Sequence, residues 1–346
     1  MARVLTRGVV KWLTEPVPRG RVAAFRTLVY LFVAADLVWF TPWVRAHADV
    51  PGELYRPLFV GRLLHLPTPD HPLVTGIFWA LFVLALAAAT GRAPRALGIA
   101  VFVLYFEWMI IAMSYGKVDH DRFALLVALA VLPTAGRARH GDRTATERGG
   151  WALRVTQIAV VATYFLAAWA KLRFGGPGWM FGSVLMRAII RRGTALTDML
   201  SSAPGVLIAA QIGIIAFELA SPLIFVLPQR WRYAAVAYFY SFHVLTIAMI
   251  TISFAPHLVA ITSFLPLEKV RPVAWLARGL HRGRRRSVGP AEPRLEASPL
   301  GGGEDTGGRA AGHPVPVPGD PAVHGPGNGQ HGAKVEQPAE PAPGTA

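Results

Sequence analysis

The sequence predicts an all-α fold: a polytopic integral membrane helix bundle of seven or eight spans with a disordered C-terminal tail. Three observations carry that prediction. Apolar residues make up 53% of the 346 and charged residues only 16%, against about 45–50% and about 25% in soluble domains. The apolar residues gather into runs near the roughly 20 residues that cross a bilayer. The basic residues sit mostly between those runs, where the positive-inside effect puts them. The mean hydropathy is +0.40 even with a polar tail included.

The first run, residues 22–44, is interrupted only by Arg26 and Asp36. It is too long for a signal-peptide core and no small-residue cleavage site follows, so it reads as a retained span. Further runs cover residues 73–90, 96–115, 123–135, 151–172, 206–227 and 233–254. The 123–135 run is short. After Pro256 comes 257–267, too short to cross alone, which reads as a half-helix or the end of a span begun near Thr251. In lipid every backbone polar group must be paired within its segment, so all of these runs are expected as helices.

Charge placement orients the bundle. The balance of 35 Lys+Arg against 20 Asp+Glu gives +15. Residues 283–346 hold six basic and seven acidic side chains, a net of −1, which leaves +16 on residues 1–282. Arginine-rich loops at 91–95, 136–150 and 228–232 share a side with the basic N-terminus if every run crosses. Their bias makes that side cytoplasmic. Eight crossings also put the basic cluster from Lys269 to Arg286 inside, and this count is favoured. Topology accounts for the charge, so membrane lipid is the expected partner and nucleic acid is not. The expected location is the cell membrane, with multiple passes.

The chain divides accordingly. Residues 1–21 read as a basic cytoplasmic N-terminus, 22–268 as the bundle, 269–286 as a polybasic juxtamembrane segment and 287–346 as a Gly/Pro-rich tail. From Gly283 on, 25 of 64 residues are Gly or Pro and none is aromatic, too little apolar surface to offset chain entropy. Cysteine is absent, which removes disulfides, thiolate metal sites and thiol nucleophiles. His47, His65 and His71 match no metal-ligand spacing, so no metal is expected.

Ionisable residues inside a membrane are the informative ones, because each needs a partner or a polar cavity. Arg26, Asp36, Glu107, Glu218 and His243 fall well within the runs, and Lys171 lies near the end of another. Arg26 and Asp36 are ten residues apart, about 15 Å along a helix, and cannot pair with each other. With Glu107 they read as structural intramembrane charges that dock helices. Gln157, Tyr164 and Lys171 are spaced by seven, a polar stripe on one helix face. Alanines at 167, 168 and 170 permit close helix approach beside it. Two readings of Lys171 stand: a desolvated amine acting as a base, or a side chain snorkelling to the headgroups. His120, in the polar joint 114–122, reads as a proton carrier or as part of a solvated turn. Tyr240 and His243 share a helix face at i, i+3. Glu218 precedes a proline-broken turn at Pro222.

Three of these segments together resemble the HTTM (horizontally transferred transmembrane) family, whose best-known members are the vitamin K-dependent γ-carboxylases. Tyr164-Phe-Leu-Ala-Ala-Trp-Ala-Lys-Leu172, followed by Gly178-Trp179 and Gly182, looks like the family's YF-x-AG-x-x-KL…W-x-x-G signature. Residues 238–243 resemble its aromatic stretch ending in histidine, Glu218 falls at an acidic position between them, and residues 115–126 and the first span are similar to further parts. The resemblance covers about residues 20–268. It implies that Lys171 is the base that deprotonates a reduced, vitamin K-like quinone, with His120 beside it as a second catalytic group. It places Tyr164, Trp179, Glu218 and His243 around the substrate. The carboxylases carry a large extracytoplasmic domain where this sequence has its Gly/Pro-rich tail, so peptide carboxylation is not expected. The function implied is a quinol-dependent oxidoreductase or epoxidase. The alternative, from bacterial HTTM proteins linked to toxin peptides, is a non-catalytic partner in maturation or export of a secreted peptide.

Overall fold

The computed structural model describes residues 2–270. The tail expected at 287–346, and all but the first two residues of the 269–286 segment, lie outside the described residues. The described part is helical, with one two-residue strand pair.

α1 (Ala2–Leu13) leads into β1 (Val17–Pro18), which pairs antiparallel with β2 (Ala145–Thr146). α2 (Arg19–Ala35) follows, and its last turn widens to a π turn at Asp36–Phe40. Shorter helical turns and α3 (Phe59–Leu63) lead to α4 (His71–Ala89) and α5 (Pro94–Met113). α6 (Phe123–Val131) continues as a 3-10 turn through Ala135. Then come α7 (Glu147–Gly175), α8 (Pro177–Phe181), α9 (Val184–Arg192), α10 (Ala195–Ser201), α11 (Pro204–Ala220), α12 (Gln229–Ile250) and α13 (Ala255–Ile261).

Among the described residues, six helical stretches are long and apolar enough to cross a membrane: Arg19–Phe40, His71–Ala89, Pro94–Met113, Glu147–Gly175, Pro204–Phe225 and Gln229–Ile250. Each coincides with a run expected from the sequence. The last of them stops at Ile250 rather than Phe254, because Thr251 takes a left-handed backbone at φ 54° and ends the ladder. The short runs become α6 and α13.

Both short segments are tied to other elements on either side of the helix they contain. Arg122, at the head of α6, reaches Asp36 near the far end of α2. Past the other end of α6, the Gly136 carbonyl accepts from Arg26, and Asp142 and Thr144 carbonyls accept from the backbone of Gly20 and Arg19. α13 starts beside the Thr251 turn. The chain beyond it accepts a bond from Gln157 at the Ser263 carbonyl and ends with Glu268 bonded twice to Arg21, each at 2.8 Å. The end of the bundle holding Arg19–Arg26, the loop after Gly136 and Glu268 is its basic end.

Two large cores, and a smaller one around Val22, Val131, Ala135 and Ala152, hold the described helices. One, around Phe25, Val29, Leu81, Tyr105 and Trp108, lies among α2, α4 and α5. The other, around Ala124, Val160, Tyr164, Phe239 and Ile261, lies where α6, α7, α12 and α13 meet. The segment 173–204, between two of the apolar runs, contains α8–α10. α9 carries Arg187 and Arg191 one turn apart on one face and buries Ile189 on another.

Candidate functional site

The polar stripe on α7 is real because α7 is one continuous helix, so residues seven apart lie on one face. Each member meets a different element. The Gln157 amide donates to the Ser263 carbonyl at 2.8 Å. Tyr164 and His243 Nε2 share a buried hydrogen bond of 2.6 Å. Lys171 donates to both carboxylate oxygens of Glu218. The Lys171 side chain does not reach outward as an anchor; it turns toward Glu218, with Trp179's ring centroid 5.1 Å from Nζ. Lys171 thus sits in the structure as an ion-paired amine, and Glu218, grouped from the sequence with substrate contacts, is its partner.

Tyr164 and Lys171, with their partners His243 and Glu218, line one cavity of about 610 Å³, and Gln157 lies outside it. His120, Tyr164, Lys171, Trp179, Glu218 and His243 all line it, and the rest of the wall is mostly apolar. That volume falls in the 300–1,000 Å³ range of small-molecule sites, and the wall has their usual make-up, apolar with a few placed polar groups. The six residues come from the joint before α6 and from α7, α8, α11 and α12, so the bundle has to close before the site exists.

The sequence reading missed two residues that matter here. His257, on α13, is 1% exposed and lines the cavity, with its ring edge-on to Tyr164 at 4.7 Å and 5.5 Å from His243. Neither of its ring nitrogens has a partner among the described residues, nor has His243 Nδ1. Its signal was available: His257 follows Pro256 in an apolar run, the same kind of intramembrane polar residue as His243. Gln211 was hidden in the run 206–227. Its amide nitrogen donates to the carbonyls of Trp179, Met180 and Gly182 at 3.2, 2.7 and 3.0 Å, and its oxygen accepts from Leu185 N at 2.6 Å. One buried amide therefore holds α8 and the start of α9 over the cavity. Gly176, at φ 56°, makes the reversal between α7 and α8, and a Cβ at Gly175 would stand 2.9 Å from Trp179.

A second, more polar space of about 820 Å³ adjoins the cavity and shares His120, Val184, Ala188 and Phe254 with it. Lys117, Arg187, Arg191 and Arg192 line it, along with Asp119 and Asp121. It lies at the end away from Arg19–Arg26. Desolvation, and then the charge of Lys171, hold His120 below the usual histidine range, which favours its neutral ring.

The remaining expected residues fall elsewhere. Asp36 is buried and paired with Arg122. Arg26 is buried against the Gly136 carbonyl. Glu107 is half-buried on α5 and has no ion-pair partner among the described residues. Tyr240 does not join His243; its hydroxyl donates to the Leu258 carbonyl at 2.8 Å.

No protein-family model, curated protein or solved structure matches the chain.

Proposed function

We propose that this is a multi-pass protein of the cell membrane that binds a reduced, vitamin K-like quinone in the 610 Å³ cavity and accepts a proton from it on Lys171. The observation that carries the reading is convergence: the lysine, acid, histidine, tyrosine and tryptophan of the HTTM-like segments line one mostly apolar cavity. The fit to such a ligand rests on the wall chemistry. Apolar surface suits a ring system, and the unpartnered nitrogens of His257 and His243 call for hydrogen-bonding oxygens.

When bound, a reduced quinone supplies an acidic hydroxyl and two electrons for an acceptor such as oxygen. The chain supplies a base. Lys171 and Glu218 rest as an ion pair. In a low-dielectric site the charge-separated and neutral forms of such a pair approach each other in energy. Moving one proton from Nζ to the Glu218 carboxylate leaves a neutral amine and a neutral acid. Nζ can then take the ligand's hydroxyl proton. Tyr164 holds the His243 ring in place, and the apolar wall excludes water that would otherwise protonate the amine.

Eight crossings belong to the same proposal, with α6 and α13 as short ones. The contacts of Gly136 with Arg26 and of Glu268 with Arg21 support it, since they return the chain to the basic, cytoplasmic end.

The test is direct. Full-length protein purified in mild detergent is extracted and assayed for quinone, then titrated with a reduced vitamin K-type quinone. Retained or saturably bound quinone, lost in a cavity-filling Ala167→Phe variant, is the expected result. A folded wild-type chain that neither retains nor binds it would overturn the reading and leave the non-catalytic peptide-partner alternative.

A further inference from the structure

Among the described residues, Arg26 is a buried cation without an anion. It lies two turns into α2 and is 1% exposed. Asp36, the acid of the same span, is taken by Arg122. Arg26 Nη2 donates to the Gly136 carbonyl at 3.0 Å, while Nε and Nη1 are buried with no partner among the described residues. Nor does any described carboxylate lie within salt-bridge distance of it. An ionised group buried without a counter-charge is strongly unfavourable. Arginine does not escape by losing its proton.

Arg26 lines a recess of about 500 Å³ at the basic end of the bundle. The loop after α4 contributes Arg92, and the segment after α6 contributes Arg137, Arg139 and His140. Thr27 also lines it, its hydroxyl 3.1 Å from His140 Nε2. No acidic side chain is among the lining residues. Arg92, Arg137 and Arg139 are exposed, as solvated loop arginines would be. That ordinary account covers those three and leaves Arg26 unexplained.

We propose that the recess binds a phosphate group whose negative charge compensates Arg26. Several guanidinium forks converging without an acid suit a tetrahedral, multiply accepting anion better than a single carboxylate. The recess sits at the head of the first span, among the loops whose arginines mark the cytoplasmic face, which is the depth of lipid headgroups. An anionic phospholipid and a soluble phosphate share this chemistry. The site is separate from the quinone cavity and does not depend on that reading.

The experiment uses the full chain in neutral detergent, with thermal unfolding and native mass spectrometry as readouts. Phosphatidylglycerol, phosphatidylcholine and inorganic phosphate are added separately at constant ionic strength, with chloride as control. Phosphatidylglycerol or inorganic phosphate should raise the wild-type Tm, and chloride should not. A response to phosphatidylglycerol alone, with retained lipid in the mass spectrum, assigns the phosphate to lipid; a response to inorganic phosphate as well assigns it to a soluble anion. Arg26→Met should weaken binding about tenfold or more, the loss expected for a charge-assisted contact. Its Tm without additive should match or exceed that of wild type, since an uncompensated charge has gone. The exposed pair Arg137→Ala with Arg139→Ala should weaken binding similarly and gives the same reading if Arg26→Met is not obtained folded. No shift with any of the three additions, or equal shifts in wild type and variants, would overturn the proposal.

Discussion

Arg122 Nη1 lies 2.7 Å from both carboxylate oxygens of Asp36 and ties the end of the first span to the head of α6. The Tyr105 hydroxyl donates to the same carboxylate at 3.0 Å, and Thr41, itself bonded to Trp108 Nε1, completes its surroundings. With Asp36 wholly buried and Arg122 nearly so, the pair is held by satisfied lone pairs as much as by charge. Removing one partner leaves the other charge buried. Asp36→Asn or Arg122→Met should each destabilise the folded protein by about 3–5 kcal/mol. The double variant Asp36→Leu, Arg122→Met should recover much of that loss. Unfolding in mixed micelles with increasing denaturing detergent measures all three. Additive single-site losses would show that the two side chains do not act as a unit.

Lys171 and Glu218 give the sharpest functional test. Lys171→Met keeps the volume and removes the amine, so quinol turnover should fall by the roughly 10²–10⁴-fold typical of losing a general base. Lys171→Arg should fail equally, because a guanidinium stays protonated. In the proposed mechanism Glu218 relieves Nζ of its proton, so Glu218→Gln should also lose turnover while still binding quinone. An active, stable Lys171→Arg protein would leave Lys171 with a purely structural role.

The hydrogen bond between Tyr164 and His243 predicts a stability effect that needs no ligand. Tyr164→Phe leaves His243 without its partner in a buried, aromatic setting, next to His257, which has none among the described residues. The expected cost is about 1–3 kcal/mol. His243→Phe should cost less in the Tyr164→Phe background than in wild type. A double-mutant cycle with no coupling would show that the two side chains stand near each other without a bond of consequence.

The way these contacts distribute explains what the sequence could reveal. Run length and charge placement were enough to find the long helices, because a bilayer imposes both locally. Residues at single-helix spacing were also legible, as with Gln157, Tyr164 and Lys171 on α7. Pairing between helices was not. Asp36 and Arg122 are 86 residues apart, and nothing in one sequence joins them. Lys171 read as an unpaired base or an outward anchor because its partner lies 47 residues on. Gln211 and His257 passed as members of apolar runs, since their roles come from what α8 and α7 bring to them.

The orientation of the bundle makes a prediction about both ends of the short helices. A topology reporter inserted after Arg143 should read cytoplasmic, because Asp142 and Thr144 bond the start of α2 beside the N-terminal basic residues. One fused after Arg286 should read the same, because Glu268 ends the described chain against Arg21. A signal from the opposite side at Arg286 alone would mean that α13 does not complete a crossing.

Asp121, in the joint before α6, should make stability fall as pH rises. Burial pushes its carboxyl up from 3.8 to about 6, against the lowering influence of Arg122 and with smaller raising contributions from Asp119 and Asp36. A carboxyl raised in the folded state binds its proton more tightly there than in the unfolded chain. Its contribution to stability is therefore fully present below pH 3.8 and is lost as pH climbs through about 6. Glu268 acts in the opposite sense, since the Arg21 hydrogen bond, more than any other influence, holds it below its ordinary value, so its contribution is lost as pH falls. The two are separated by difference. Asp121→Asn keeps the shape and removes the titration, so wild type should lose Tm relative to Asp121→Asn between pH 4 and 7 while the Glu268 contribution cancels. Parallel Tm profiles over that range would show that the Asp121 carboxyl is as well solvated in the folded protein as in the unfolded chain.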